Sequence, residues 1–533
     1  MSSIESEKNK NAHVTTVVSV PELNEKLAGN NVDKAFAFKD DIQDVEIDPV
    51  LERKMKRKID WVLLPMIALL MSLQLLDKTC NSYASIMGLL DDLNIPTTGV
   101  SAAEASHNAK MYSEIGSSFY WGYLISAFIS GRILQKLPIA TTLSAIIFVW
   151  GIVVGCHAAC KTAPQFIGCR VLLGVLEGFL NPGYTTIISM FYRKGNTEGD
   201  KAKRVPEQYM RTQIFFGLQG CGTLLGAGVA HGLYTHTNHT ALASWRLLYL
   251  ICGAITVSAG IVSYFYFPNI PAKAWFLNDT ERKYSVIRSK ENQQGFGNTK
   301  FKKYQAIEAF KDIRSYCLFI YAMSYGIANG SFNNFGSILL KGDFGFSTSG
   351  ALLMNMPGGS IDIVVPILAY ALCWTFKSRY LAAICTNTFS TIGMVCLAFA
   401  PTKGGRLFGY LTFYVATLVY ATSLSVIASN VAGSTKKTVV WCFLLAGYSV
   451  GNLTGPYTFK VSEAPGYHSA KISLLVAFIV GTLCFVTIYL HDTIENKRRD
   501  KYKEQMGEAY EVLEDFEFAD LTDKENKEFR YSY

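Results

Sequence analysis

Residues 268–314 read PNIPAKAWFLNDTERKYSVIRSKENQQGFGNTKFKKYQAIEAFKDIR, and this polar stretch divides the chain into two halves. It is rich in Lys, Glu, Asn and Gln, whereas long apolar segments lie on both sides of it. A helix needs about 20 mostly apolar residues to cross a bilayer. Six segments before the stretch and six after it are long enough. The sequence therefore predicts two six-helix halves joined by a polar loop.

The predicted fold is an all-α membrane protein with twelve transmembrane helices. The spans of the first half are 61–90, 112–136, 138–158, 164–191, 209–234 and 245–267. Those of the second half are 315–340, 349–376, 379–400, 406–432, 438–459 and 472–491. The domain organisation that follows is an N-terminal tail (1–58), an N-terminal half (59–267), a central loop (268–314), a C-terminal half (315–491) and a C-terminal tail (492–533). The N-terminal tail has no apolar core, so we expect a disordered segment rather than a signal peptide.

The composition agrees with a protein that is embedded in a lipid bilayer and has polar ends. Half of the residues are hydrophobic, and the 17% that are charged concentrate in the tails and the central loop. The net charge of +8 therefore belongs to the loops and indicates anionic lipid headgroups as partners, not nucleic acid. Basic residues at 53–58 and 497–501 flank the first and last spans. By the positive-inside rule both termini are expected to be cytoplasmic.

The twelve cysteines are scattered through the apolar segments, a pattern typical of small core residues rather than of a disulfide framework. Cys156, His157 and Cys160 lie close together in sequence and resemble part of a metal site. No second pair of ligands accompanies them, so packing is the favoured interpretation. We expect neither a metal nor another cofactor.

Charged residues inside predicted spans are functional hypotheses, because an ionised group at membrane depth costs at least a few kcal/mol. Asp77 and Lys78 lie past the middle of the first span, and apolar residues continue to Leu90. Neighbours on a helix point about 100° apart, so one of the two can face a substrate while the other faces a helix. The alternative is that the span ends at Leu76 and the pair marks the membrane interface.

The fourth span contains Arg170 and Glu177, whose spacing of seven places them on one helix face. This face is expected to point inward, since neither charge tolerates lipid. A carboxyl group in an apolar setting near a cation is suited to carrying a proton between two environments. The alternative is a static ion pair between helices. Asp362, in the eighth span, has two equally weighted interpretations: a buried functional acid or a residue at a helix end.

Uncharged polar residues and glycines also recur inside the spans. Asn329, Asn333 and Gln219 carry amides, which donate and accept hydrogen bonds and so suit a substrate bearing amide or urea groups. Such residues also hold membrane helices together. Glycines four residues apart in the fifth span of each half, which favour close helix contacts, suggest a structural repeat; they are Gly222, Gly226, Gly447, Gly451 and Gly455.

The fourth span carries the motif Arg170-x-x-x-Gly174-x-x-Glu177-x-x-x-x-Pro182-Gly183. Further distinctive stretches are WRLLYL (245–250), FPNIPAKAWFL (267–277), NQQGFGN (292–298), KYQAIEAFKD (303–312) and DLTDKEN (520–526). With them, residues 51–533 resemble the major facilitator superfamily and, within it, the fungal anion:cation symporters of the allantoate permease type. The resemblance implies a plasma-membrane symporter that imports a small organic anion together with a proton by alternating access. Allantoate or a related ureido acid is the leading substrate.

The resemblance also implies roles for individual residues. Related anion transporters carry an Asp-Arg pair where this chain has Asp77-Lys78, and their Arg contacts the substrate carboxylate. Lys keeps the charge but loses the two-pronged geometry of Arg. An acid at the position of Glu177 takes part in proton coupling in those relatives. The residues expected to bind substrate are Lys78, Arg170, Asn329, Asn333 and Gln219, and those expected to handle the proton are Asp77 and Glu177.

Other functions agree less well with these residues. Related frameworks carry different solutes, so a vitamin, a sulfur-containing acid or a short peptide is the runner-up substrate. A nutrient sensor that binds without transport has no need of an intramembrane Glu177. An enzyme is not expected, because the chain shows no nucleophile–His–acid set, Walker loop or dinucleotide fingerprint. No oligomeric state is predicted.

Overall fold

The computed structural model describes residues 49–96, 101–192, 205–236, 242–290, 301–506 and 520–533. Helix is the regular secondary structure throughout these ranges, and they contain no strand. Each predicted span coincides with a long helical segment, which confirms the fold class. These segments are α1 (Val50–Asp92), α2 (Ala102–Lys136), α3 (Ile139–Ala159), α4 (Ala163–Phe191), α5 (Glu207–His236), α6 (Ser244–Tyr266), α7 (Ile313–Gly342), α8 (Thr348–Phe376), α9 (Arg379–Phe399), α10 (Lys403–Asn430), α11 (Ser434–Thr458) and α12 (His468–Met506).

Among the described helices, ten are long and apolar enough to cross a membrane by length and composition. The other two, α2 and α7, are as long but more polar. The polarity of α7 comes from side chains buried inside the bundle, namely Ser324, Asn329, Ser331, Asn333, Asn334 and Ser337. Helix α7 therefore turns its polar residues toward the protein interior.

Helix pairing repeats between the two halves. In the N-terminal half α1 packs against α5, α2 against α4 and α3 against α6. The equivalent pairs α7–α11, α8–α10 and α9–α12 pack together in the C-terminal half. The two halves meet where α2 contacts α11, where α5 contacts α8 and α10, and where α1 contacts α7. This arrangement is the structural repeat that the glycine pattern predicts.

Glycine permits the closest of these contacts. A methyl group added at Gly222 of α5 would overlap the backbone carbonyl of Ser72 on α1. At the matching place in the other half, a methyl group at Gly451 of α11 would overlap the carbonyl of Met323 on α7. Without a side chain at these positions the backbones approach each other directly, which is how small residues stabilise helix pairs in membranes.

The end of the bundle at which α1 begins, here called the basal end, carries most of the ordered loop structure. Helix α1 begins before its predicted span, and residues 1–48 of the predicted N-terminal tail lie outside the described ranges. Two short helices, Asp279–Lys290 and Lys303–Phe310, form within the central loop. Lys58 Nζ of α1 lies 2.7 Å from Glu281 Oε1 of the first of these helices, so α1 and the central loop are tied together.

Residues 520–533, here called the C-terminal segment, fold back against the C-terminal half. Asp523 is fully buried and forms ion pairs with Arg314 and with Lys436, whose Nζ lies 2.7 Å from Asp523 Oδ1. Arg379 Nη2 donates a hydrogen bond of 2.9 Å to the carbonyl of Ser532. Residues 520–533 of the predicted C-terminal tail therefore fold as part of the C-terminal half.

Candidate functional site

Two small adjoining pockets lie between the halves, in the middle of the bundle. The Lys78 pocket holds about 30 Å³ and the Asp362 pocket about 20 Å³, which is room for one or two water molecules in each. Both pockets are lined by Leu75, Gln219, Tyr325 and Asn329. Side chains of α1, α4 and α5 from one half and of α7, α8, α10 and α11 from the other form their walls.

Lys78 stands at the wall of its pocket, between the open space and Glu177 of α4. Its Nζ lies 3.2 Å from Glu177 Oε2, and the side chains of Lys78 and Glu177 are 9% and 0% exposed. The ammonium also lies 5.5 Å from the centre of the Phe119 ring and 5.9 Å from that of Tyr123, a distance at which an aromatic face attracts a cation. A buried acid and a buried base therefore meet at the edge of the cavity.

Asp77 lies behind this pair, on the side of α1 that faces the rest of the N-terminal half. Its Oδ2 accepts a hydrogen bond of 3.3 Å from Trp150 Nε1 on α3, and its side chain does not line either pocket. Helix α1 continues past Leu76 to Asp92, and Asp77 is 1% exposed. The alternative that the first span ends at Leu76 is therefore wrong.

Arg170 has a different place from the one that its sequence spacing suggests. It is buried like Glu177, but its Nη2 donates a hydrogen bond of 2.7 Å to Tyr249 of α6. Within the described ranges the cation that pairs with Glu177 is Lys78, not Arg170. Arg170 lines neither pocket, so the structure separates it from Lys78, the other cation expected to attract the substrate. The helical spacing of seven predicts a shared face but not the partner that a third helix supplies.

The three predicted amide residues lie together at the pockets. Gln219 and Asn329 line both, and Asn333 lines the Asp362 pocket. Asn329 Oδ1 accepts hydrogen bonds from Tyr448 (2.7 Å) and from Asn333 Nδ2 (3.0 Å). Asn329 and Asn333 are thus linked within the C-terminal half, and Gln219 faces the same space from the N-terminal half.

Contacts between the halves close the cavity on both sides. Toward the end opposite the basal end, Asn81 Nδ2 of α1 donates to Asn334 Oδ1 of α7 at 2.9 Å, and the Tyr112 hydroxyl donates to the Asn334 carbonyl at 2.8 Å. Toward the basal end, Gln213 Nε2 of α5 donates to Thr422 Oγ1 of α10 at 3.0 Å. The cavity is therefore occluded, and a solute larger than a few waters enters only after one set of contacts opens.

Several lining residues were not predicted. Tyr325, Tyr420 and Tyr448 form an aromatic group beside the Lys78 pocket, with the rings of Tyr325 and Tyr420 stacked at 4.8 Å. Gln74, one helix turn before Lys78, is 2% exposed, lines the Lys78 pocket and lies within hydrogen-bond reach of Glu177. The sequence does contain a signal for Gln74, because it lies four residues before Lys78 and therefore on the same face of α1.

In the sequence cluster Cys156, His157 and Cys160, the structure buries His157 and Cys160 and leaves Cys156 exposed. His157 is fully buried, its Nδ1 lies 2.9 Å from the carbonyl of Val153, and its ring stacks on Tyr249 at 5.1 Å. In the part of the chain that the structure describes, no three His, Cys, Asp or Glu residues are grouped as metal ligands.

Comparison with known proteins places this architecture in a family. The model of the Major Facilitator Superfamily matches residues 67–456. An uncharacterised transporter of Schizosaccharomyces pombe is 36% identical, with 95% of this chain and 94% of that protein covered. The allantoate permease of Saccharomyces cerevisiae is 35% identical, with 94% of this chain and 90% of the permease covered.

The fold also resembles solved transporters. The structure of the proton:xylose symporter XylE bound to a bromo-deoxyglucose superimposes with a TM-score of 0.58 at 15% identity, covering 80% of this chain and 95% of the symporter. Members of this family are secondary transporters and not enzymes. With its twelve helices in two matching halves, its central occluded cavity and the family match across most of its length, this chain belongs to the major facilitator superfamily.

Proposed function

We propose that this protein is a proton-coupled importer of a small organic anion, with allantoate or a related ureido acid as the leading substrate. The observation that carries the proposal is the buried Lys78–Glu177 pair at the wall of the central cavity. The similarity to a permease named for allantoate supports the choice of substrate. The expected location is the plasma membrane, with both termini in the cytoplasm and the basal end facing it.

The pair offers a direct way to link a proton to an anion. In the occluded state Glu177 neutralises Lys78. A proton that reaches Glu177 removes its charge and leaves the Lys78 ammonium without a partner, at a place where an unpaired charge is costly. A substrate carboxylate in the Lys78 pocket then becomes the new partner. One proton and one carboxylate thus enter the site together, and the charge of the buried pair stays balanced.

The rest of the cavity fits a substrate with amide or urea groups. Gln74, Gln219, Asn329 and Asn333 supply amides to the cavity wall. Asp77 is assigned to the proton path because of its place beside Lys78 in α1, where Trp150 holds one of its oxygens. Arg170 contributes positive charge behind the site rather than a direct contact in the occluded state.

The proposal is tested by uptake of radiolabelled allantoate in cells that lack their own carriers. We expect saturable uptake that is faster at about pH 5 than at about pH 7.5 and that a protonophore abolishes, since protonation of Glu177 precedes anion binding. Absence of uptake with the protein present at the cell surface would reject allantoate. Uptake that ignores the protonophore would reject the coupling.

Replacement of Lys78 by Ala should weaken binding of acids far more than binding of their neutral amides. Loss of a buried charge partner costs at least about 2 kcal/mol, or roughly 30-fold in affinity. The measurement is competition of allantoate and of its neutral amide against labelled substrate. Lys341→Ala, which removes an exposed lysine at the end of α7, is the matched control and should leave both affinities unchanged. An equal loss for acid and amide in Lys78→Ala would assign Lys78 a structural role.

A further inference from the structure

Asp362 is the one acid that lines the Asp362 pocket in the described structure, and the mechanism above does not use it. It lies within α8, not at a helix end, and is 1% exposed. Thr417 of α10 hydrogen-bonds to the carboxyl group, but its Oδ1 has no hydrogen-bond partner among the described residues, and no Lys, Arg or His in those ranges pairs with it. A buried carboxyl oxygen without a hydrogen-bond donor is costly, so Oδ1 on the cavity wall is a candidate contact for a bound solute.

Asp362 also lies at the seam between the two halves. A Cβ atom added at Gly220 of α5 would come within 2.7 Å of Asp362 Cβ, and one at Gly217 within 2.8 Å of the Asp362 carbonyl. Both glycines belong to the N-terminal half, so the two halves touch at Asp362 itself. A molecule held by both Lys78 and Asp362 would therefore be bound by both halves at once.

The two pockets present opposite hydrogen-bonding character. The Lys78 pocket offers the Lys78 ammonium, which is a donor. The Asp362 pocket offers the unpaired Asp362 Oδ1, a carboxyl oxygen that accepts hydrogen bonds from N–H groups. The shared residues Gln219 and Asn329 join the two spaces. A solute that spans them carries a carboxylate at one end and N–H donors at the other.

We propose that Asp362 is a specificity-determining residue that accepts hydrogen bonds from the N–H groups of the substrate while Lys78 holds its carboxylate. This assignment rests on the proposed function, because it divides one transported solute between the two pockets. It defines the substrate class as small acids with a ureido, amide or amino group at the end remote from the carboxylate. Acids of the same shape that lack N–H groups leave Asp362 unpaired and are rejected.

The test uses two probes of the same shape, N-carbamoylglycine and levulinate. Levulinate has CH₂ and CH₃ at the positions where N-carbamoylglycine has NH and NH₂. Affinities come from the ligand-dependent rise in unfolding temperature of the purified full chain. A buried acceptor that is left without its hydrogen bond costs enough that the wild type should bind N-carbamoylglycine roughly 10- to 100-fold more tightly. In Asp362→Leu this preference should vanish while levulinate affinity is retained. Asp362→Asn, which keeps one acceptor oxygen, should give an intermediate preference.

Loss of folding is not expected to obscure the result, since replacing a buried unpaired carboxyl group by a neutral side chain of similar size removes a cost. Ser360→Ala, on the exposed side of α8, is the matched control and should keep the wild-type preference. The inference is overturned if the wild type fails to bind either probe or does not distinguish them, or if Asp362→Leu still distinguishes them. One further result would overturn the inference. If Asp362→Asn keeps the full preference for N-carbamoylglycine but its uptake no longer depends on pH, Asp362 is a proton carrier and not a specificity residue.

The two proposals fail in different ways. Proton-driven uptake of acids without a preference for N–H groups would overturn the role of Asp362 alone. A binding preference that depends on Asp362, in a protein without proton-driven uptake, would overturn the transport proposal alone.

Discussion

Replacement of Glu177 by Gln is expected to abolish proton-driven accumulation of substrate while leaving exchange across the membrane intact. Gln has nearly the same shape but cannot take up and release a proton, so Lys78, 3.2 Å away, no longer alternates between Glu177 and the substrate. For one proton per anion, each pH unit across the membrane sustains about tenfold accumulation. In proteoliposomes with an imposed pH gradient, the ratio of internal to external substrate should fall to about one in the variant.

The matched control is Glu114→Gln, which neutralises an exposed carboxylate on α2. It should accumulate substrate like the wild type. Counterflow, in which labelled substrate exchanges with unlabelled substrate on the other side, should survive in Glu177→Gln and shows that the variant is folded. Accumulation that keeps its pH dependence in this variant would remove Glu177 from the coupling role.

Replacement of Arg314 by Met should destabilise the C-terminal half far more than removal of an exposed charge. Arg314 is 2% exposed and pairs with Asp312 at 2.6 Å and with Asp523 of the C-terminal segment. Removing one member of a buried ionic group leaves the others uncompensated, which costs about 3–5 kcal/mol. The measurement is the free energy of unfolding or, in detergent, the midpoint of thermal unfolding. Arg498→Met is the control, because that side chain is 81% exposed and its loss should change little.

The pH dependence of this destabilisation follows from the carboxyl groups. Burial alone would raise the pKa of Asp523, but the charges of Arg314 and Lys436 outweigh it and lower the pKa to about 2. Burial would also raise the pKa of Asp312, but the charge and hydrogen bonds of Arg314 outweigh this effect and lower that pKa. A carboxyl group with a lowered pKa stabilises the folded state above its ordinary pKa, and this stabilisation is lost as the pH falls toward the folded pKa. The gap between wild type and Arg314→Met should therefore be constant between about pH 5 and 8 and shrink below about pH 4. A gap that widens on acidification would contradict the assignment.

The sequence predicts the fold well because membrane spans are determined locally. A span depends on the length and polarity of one segment, and each predicted segment corresponds to a helix. The glycine spacing in α5 and α11 likewise predicts close contacts, since it needs only the helical period. The start of α1 is the weakest of these predictions, because a basic helix can extend beyond the membrane and the apolar pattern alone does not show it.

The site is predicted only in part, because its contacts join residues that are distant in sequence. Sequence identifies Lys78 and Glu177 as unusual charges, but the 3.2 Å contact between them depends on how α1 packs beside α4. Arg170 lies on the same face as Glu177 and yet finds its partner in Tyr249 of a third helix. The C-terminal segment is a similar case, since its Asp523 complements cations that belong to α7 and α11. Helical spacing carries no information on such partners.

The uneven distribution of charge across the cavity bears on how proteins of this kind diversify. The pair Lys78–Glu177 belongs wholly to the first half of the chain, whereas Asn329, Asn333 and Asp362 belong to the second. In the proposed mechanism the proton is therefore handled by the first half, whereas the second half supplies most of the contacts to the polar end of the solute that is remote from its carboxylate. Under that proposal, substitutions on α7 and α8 would change the preferred solute without altering the Lys78–Glu177 pair. A chimera that joins the first half of this protein to the second half of a relative should accordingly show the substrate preference of the relative. Its uptake should keep the pH dependence of this protein.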